Sequence, residues 1–281
     1  MSLEAIEKAL AAIEAHLDQP LSVADIAAAA GLSPFHFSRL FTAVRGESVM
    51  AHVRRRRLER AAETLAADPG ARLVDLAFDC GFESQQAFTR AFTRQFGAPP
   101  GRFRLQARPD RGDTPMPAAI DVSAVLSVQD GLEHRPAFRV AGLSGRFDTE
   151  SRPEILGLWD RFAPHLPVAG QAGWETYGLI WSISPEESFI YMAAVALAPG
   201  APEPAGLETL EVPAQTYLVF HHKISPGPLQ PQMLAAMQAI WGKLVAESGH
   251  KPSGGPDFEF YPSDFEPGKG GTLSYYVPVT V

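Results

Sequence analysis

The stretch Gly81-Phe82-Glu83-Ser84-Gln85-Gln86-Ala87-Phe88-Thr89-Arg90-Ala91-Phe92 decides how the first third of this 281-residue chain is read. Ala87, Phe88, Ala91 and Phe92, continued by Phe96, recur at helical spacing and make an apolar stripe. Gln85, Gln86, Thr89 and Arg90 stand at i, i+1, i+4 and i+5 on the other side. A helix face that is only solvated usually carries Glu and Lys. Gln and Arg instead offer planar, bidentate hydrogen-bonding groups that match adenine and guanine edges in a major groove.

The same design occurs once before. Asp25-Ile26-Ala27 and Gly31 return at an offset of 50 as Asp75-Leu76-Ala77 and Gly81. Phe37-Ser38-Arg39-Leu40-Phe41 and Gly46 return at 51 as Phe88-Thr89-Arg90-Ala91-Phe92 and Gly97. Each unit reads as helix, glycine turn, helix, which fits either a helix-turn-helix or a plain helical-hairpin repeat. Ser22 and Ser33-Pro34 read as helix starts, and a helix from about Ser48 to Ala66 joins the units. The outward set of the first unit is Phe35, His36, Ser38 and Arg39. Phe35 suits a thymine methyl or an N-terminal staple, and His36 a phosphate. Arg54-Arg55-Arg56-Arg57 wraps the joining helix, so its members cannot all face one strand of DNA, and some must pair with Glu59, Glu63 or another helix.

Composition sets the frame. With 46% hydrophobic and 20% charged residues, the chain can bury a core in each of two domains and is neither disordered nor low-complexity. Residues 1–108 carry 14 basic and 12 acidic residues, a balance of +2; the rest carries 10 and 20, a balance of −10. The halves therefore suit different partners. No apolar run approaches the ~20 residues of a bilayer span, so no membrane association is expected. The amphipathic start MSLEAIEKALAAIEAHL does not read as a secretory signal, and the single cysteine, Cys80, fits a reducing cytoplasm. No metal-ligand spacing, nucleophile elbow or phosphate loop is found, so neither a cofactor nor a metal is expected, nor catalysis. His221-His222 on a strand point to opposite faces and read as structural.

Gly81 to Phe92, with Phe96-Gly97-Ala98-Pro99-Pro100 and Arg102-Phe103-Arg104, resembles the signature of the AraC/XylS transcriptional regulators over about residues 3–106. The second recognition helix is especially similar to that of the MarA/Rob-like group. The resemblance implies an all-α tandem helix-turn-helix that binds double-stranded DNA and meets RNA polymerase. Phe35 and Ser38 depart from the group, which often has Trp and a longer polar base-reader there.

A proline-rich linker is expected over residues 109–133, with a short strand or helix within Ile120–Val128. From 134 to 281 the pattern becomes β-α-β-β, twice: strands near Ala137–Phe147, Trp174–Ser182 and Ser188–Leu197 with a helix near Pro153–His165, then strands near Thr209–Lys223, Asp257–Tyr261 and Thr272–Val279 with a helix near Gln230–Ser248. Trp174-Glu175-Thr176-Tyr177 matches Phe258-Glu259-Phe260-Tyr261 at an offset of 84. That predicts Trp174, Glu175, Tyr177, Glu259 and Tyr261 around one pocket. This α+β half resembles the GyrI-like effector-binding domain, through Leu158-Trp159-Asp160-Arg161-Phe162, Tyr177-Gly178-Leu179 and Tyr275-Tyr276-Val277-Pro278-Val279. The resemblance implies a small hydrophobic ligand, cations included, met by a carboxylate at Glu259. A carboxylate walled by Trp and Tyr attracts an organic cation through charge and cation–π interaction. Two other readings stand beside the sensor: a hydrolase in which Glu259 or Glu175 activates water with Tyr177 or Tyr261 orienting, and a ligand-free protein-interaction module.

Overall fold

The computed structural model describes residues 2–68, 70–104, 126–128, 131–148, 151–182, 184 and 188–280. The first half is helical: α1 Ser2–Ala15, α2 Val23–Ala29, α3 Pro34–Arg45, α4 Val49–Ala67, α5 Leu73–Asp79, α6 Gln85–Phe96 and α7 Pro100–Phe103. Serines set the boundaries. Ser22 forms a capping box with Asp25, and the hydroxyls of Ser33, Ser48 and Ser84 accept from the backbone N–H groups of His36, Ala51 and Ala87. Gly46 and Gly97 close α3 and α6 in the left-handed region, at φ 70° and 71°. A side chain there would be strained, so the repeat keeps glycine at both.

Each unit has its own core. Ile13, Ile26, Phe37 and Phe41 are fully buried in the first. Phe88 and Phe92 are fully buried in the second, where Phe92 meets Phe96 at 4.5 Å and Phe103 at 5.2 Å. The arginine run on α4 is mostly structural. Arg55 pairs with Glu47 and Glu59, Arg56 with Glu14 and Glu59, and Arg57 donates to the carbonyls of Leu17 and Gln19. Arg54 remains exposed.

The second half is built on one antiparallel sheet. Its strands are β1 Leu126–Val128, β2 Glu133–Arg135, β3 Phe138–Phe147, β4 Gln171–Trp181, β5 Phe189–Leu197, β6 Glu208–Val212, β7 Gln215–Ile224, β8 Lys251–Pro252, β9 Asp257–Tyr261 and β10 Gly271–Thr280. The order β1-β7-β10-β9-β4-β5-β3-β6 places two β-α-β-β units back to back, with β4 against β9 at the centre. Helix α8 Ile155–Phe162 belongs to the first unit. In the second, α9 Leu229–Ala239 runs through a π turn, Ile240–Leu244, into α10 Val245–Glu247.

Two expectations need correction. The single strand expected over 209–223 is two, because Pro213 has no N–H to give a ladder; β6 pairs with β3 and β7 with β10. The end of the expected linker is part of the sheet: Leu126–Val128 and Glu133–Arg135 both pair with β7, whereas 120–125 lie outside the described residues. Among the described residues, no helix is long and apolar enough to cross a membrane.

Candidate functional site

Burial of Phe88 and Phe92 turns the opposite side of α6 outward. Gln85, Gln86 and Arg90 are exposed there, with Thr89 half-buried beside them. These are the four residues that the sequence places on one face, now on a helix fixed at both ends by Ser84 and Gly97.

Helix α3 is placed differently. Ser38 is buried, so it cannot read a base from this position. Phe35 and His36 lie edge-on to Trp241 of the π turn, with ring centroids 6.4 and 5.3 Å away. The Arg39 guanidinium lies over the rings of Phe35 and Trp241, at 5.3 and 5.2 Å from their centroids. It donates to Tyr275 Oη at 3.0 Å and to Asp257 Oδ1 at 3.2 Å. Arg39 is 10% exposed and Asp257 not at all. Every residue expected to face DNA from α3 is therefore turned toward the second half or the core. The sequence holds no local sign of this, because Asp257 lies 218 residues further on.

Burial, with the like charge of Arg39 behind it, lowers the His36 imidazole to about 4. The folded value is depressed, so the contribution of His36 to docking is fully present above the unfolded value near 6.5 and weakens as pH falls from there toward 4. Proton NMR of the resting chain should show His36 titrating near 4. A His36 resonance titrating at 6.5 would mean that the helix is not docked.

A second cluster sits on β9. Asp257, Glu259 and Tyr261 alternate onto one face of the strand. Glu259 Oε2 accepts from Tyr191 Oη and from Tyr261 Oη, each at 2.8 Å, and Trp159 Nε1 of α8 donates to Tyr191 Oη at 3.1 Å. Burial pushes Glu259 above the ordinary carboxylate value, against the pull of the two phenols and of Arg39 and Arg152. Asp257 is pushed up to about 7 by burial, against Arg39. The close pairing around Glu259 depends on Gly178, which opposes it on β4. A Cβ at Gly178 would lie 2.1 Å from Tyr191 Oη and 2.6 Å from Glu259 Oε2. Arg152, just ahead of α8, lies over the Phe189 ring at 5.3 Å.

Known proteins match both halves. The profile of a helix-turn-helix domain, of the AraC type, covers residues 15–106. That of the GyrI-like small molecule binding domain covers residues 132–280, more than half of the chain. The chain belongs to the GyrI-like family. The transcriptional regulator BrlR of Pseudomonas aeruginosa is 37% identical over 135 residues, 48% of each chain. The right origin-binding protein of Escherichia coli K12 is 45% identical over 94 residues, 33% of this chain and 32% of that one. The matches thus span half or less of these curated relatives. A solved structure described as bound to tetraphenylphosphonium superposes with a TM-score of 0.45 at 16% identity, covering 55% of this chain and 94% of that one.

Within the GyrI-like half, the five expected pocket residues do not meet. Glu259 and Tyr261 share the site above. Tyr177 opposes Phe260 on the other face of the sheet, packed at 5.7 Å from Phe138 and 5.4 Å from Phe260. Glu175, two residues before Tyr177, alternates onto that face too. Trp174 projects to solvent, 63% exposed, from the irregular start of β4. The cause is register: opposed residues of an antiparallel pair share a face, and β9 opposes Gly178 rather than Tyr177 to Glu259. The sequence reading missed Trp159, Tyr191, Asp257 and Trp241. Asp257 was legible, since a residue two before Glu259 on a strand shares its face. Among the described residues, no group of His, Cys, Asp and Glu could hold a metal ion. His222 is buried and His221 bonds to Ser274.

Proposed function

We propose that this chain is a DNA-binding transcriptional regulator whose GyrI-like half senses a small hydrophobic cation. Residues 1–108 serve as the DNA-binding domain and 134–281 as the sensor, with RNA polymerase as the further partner of the first half. The observation that carries the reading is the pairing in one chain of a free Gln85, Gln86 and Arg90 face with a buried carboxylate ringed by Trp159, Tyr191 and Tyr261. The first suits base edges and the second an aromatic cation. Of the hydrolytic pairings, Glu175 with Tyr261 is set apart on opposite faces of the sheet, whereas Glu259 and Tyr261 are hydrogen-bonded to each other at 2.8 Å.

Thermal shift tests the sensor. Tetraphenylphosphonium should stabilise the wild type and triphenylphosphine oxide, neutral and similarly shaped, should not. Glu259→Gln keeps the shape of the site and removes its charge, so the cation should bind at least tenfold more weakly. Equal stabilisation of both proteins by the cation would discard Glu259 as its anchor.

A further inference from the structure

Three of the four residues of α3 expected on DNA bury themselves on the sensor half, Phe35 and His36 against Trp241 and Arg39 against Trp241, Tyr275 and Asp257, while the fourth, Ser38, is buried. Arg39 is a planar cation between aromatic rings, paired with a carboxylate, and its charge also acts on Glu259. A cation over an aromatic ring and paired with a carboxylate is the chemistry ascribed above to the effector, met here by Asp257, two residues before Glu259 on the same face of β9. The second copy of the repeat has no such arrangement. Arg90, which matches Arg39 at an offset of 51, is exposed. The docked surface also extends past Arg39. Ala43 packs with Trp241 and its neighbours, and a Cβ at Gly242 of the π turn would lie 3.7 Å from Ala43 Cβ and 3.9 Å from Val44 Cγ2.

We propose that Arg39 acts as a built-in occupant of the effector site at Asp257 and Glu259: α3 lies either on the GyrI-like half or in a DNA groove, never both, and an effector cation releases it by taking the place of its guanidinium. The proposal rests on the function proposed above. The resting chain then holds its second recognition helix ready and its first one masked. When α3 leaves, the neighbouring carboxylates of Asp257 and Glu259, side by side on one face of β9, keep Arg152 as a nearby positive charge. The vacated site thereby gains attraction for a cation. Coupling follows without any distant pathway. Effector and DNA both bind the undocked form better, so each raises the other's affinity by the same factor.

A disulfide tests this directly. The 3.7 Å separation at Ala43 and Gly242 lies within the Cβ–Cβ range of natural disulfides, roughly 3.5–4.5 Å. The native Cys80 is buried, donates to the Arg57 carbonyl, and has its thiol pushed up to about 12 by burial, so it will not compete. The full chain carrying Ala43→Cys and Gly242→Cys should cross-link on mild oxidation, read by mass spectrometry, and tetraphenylphosphonium should slow that reaction. The reduced variant is used to enrich a duplex from a random pool. Oxidation should then weaken binding to that duplex at least tenfold, with recovery on reduction. Three results would overturn the proposal. The two thiols could stay separately alkylatable with no cross-link formed, so that α3 is not docked. The oxidised protein could bind the duplex as the reduced one does, so that docking masks nothing. Or the reduced protein could enrich no duplex while still cross-linking, which removes the DNA reading itself and leaves a packed interface only. Failure of the cation alone to slow cross-linking, with DNA binding still blocked, would strike out release by an effector cation and leave the masking.

Discussion

Replacing Gly178 by alanine should lower the stability of the GyrI-like half by about 2–6 kcal/mol and abolish its response to cations. The added methyl would lie 2.1 Å from Tyr191 Oη and 2.6 Å from Glu259 Oε2, far inside contact distance. Neither atom can yield easily. Tyr191 is 2% exposed and also accepts from Trp159, and Glu259 is 8% exposed between two phenols. Overpacking of a tight interior costs about 1–3 kcal/mol. Separating Glu259 from its donors adds about 1–3 kcal/mol for a buried polar group left unpaired. For a domain of this size, the sum corresponds to a fall in Tm of roughly 5–20 °C. Gly157→Ala is the control, since Gly157 lies within α8 and an added Cβ there meets only Arg161 Nη1, at 4.0 Å. That change should be neutral or stabilising by up to about 1 kcal/mol, because alanine is the better helix former. Calorimetry of the two variants decides the matter. A Gly178→Ala protein that melts with the wild type would mean that the carboxylate is not held between Tyr191 and Tyr261.

The two sites were unequally legible. Where function sits on one helix, local rules suffice. Ser84, Gly97 and the spacing of Phe88, Phe92 and Phe96 fix α6 and its outward face from neighbouring residues alone, and the same holds for Ser33, Gly46 and the limits of α3. What α3 faces is another matter. Phe35, His36 and Arg39 carry the same chemistry whether they meet a base edge or an indole with a carboxylate behind it, and only the tertiary fold brings Asp257 and Trp241 to them. Strands fail for a related reason. Alternation told correctly that Glu259 and Tyr261 share a face. It could not tell which residue of β4 lies opposite, and an offset by one residue sends Tyr177 and Glu175 to the other side. The irregularity between Gln171 and Thr176 of β4 holds Gly173, a residue that often marks a bulge, but it gives no indication of which residue of β9 lies opposite.

Arg90→Ala should weaken binding to the enriched duplex by about 1–3 kcal/mol, or roughly five- to 150-fold, and relax sequence preference at one position. Arg90 is exposed on α6, so on the proposed reading its removal deletes a base contact and leaves the α6 core in place. Arg39→Ala makes the same chemical change at the matching place of the repeat, yet its consequences divide. On the proposed DNA reading it removes an equivalent contact. In the resting chain it removes the ion pair with Asp257, the hydrogen bond to Tyr275 and the stack on Trp241, all of which hold α3 away from DNA. The two effects have opposite signs, so the net loss of affinity for Arg39→Ala should be smaller than for Arg90→Ala. Fluorescence anisotropy on one labelled duplex measures both. Asp257→Asn separates the terms, because Asp257 belongs to the sensor half: it should weaken docking while leaving every DNA-facing group in place, and so tighten DNA binding. Equal losses for the two arginine variants, with no gain for Asp257→Asn, would mean that the contact between α3 and the GyrI-like half carries no regulation.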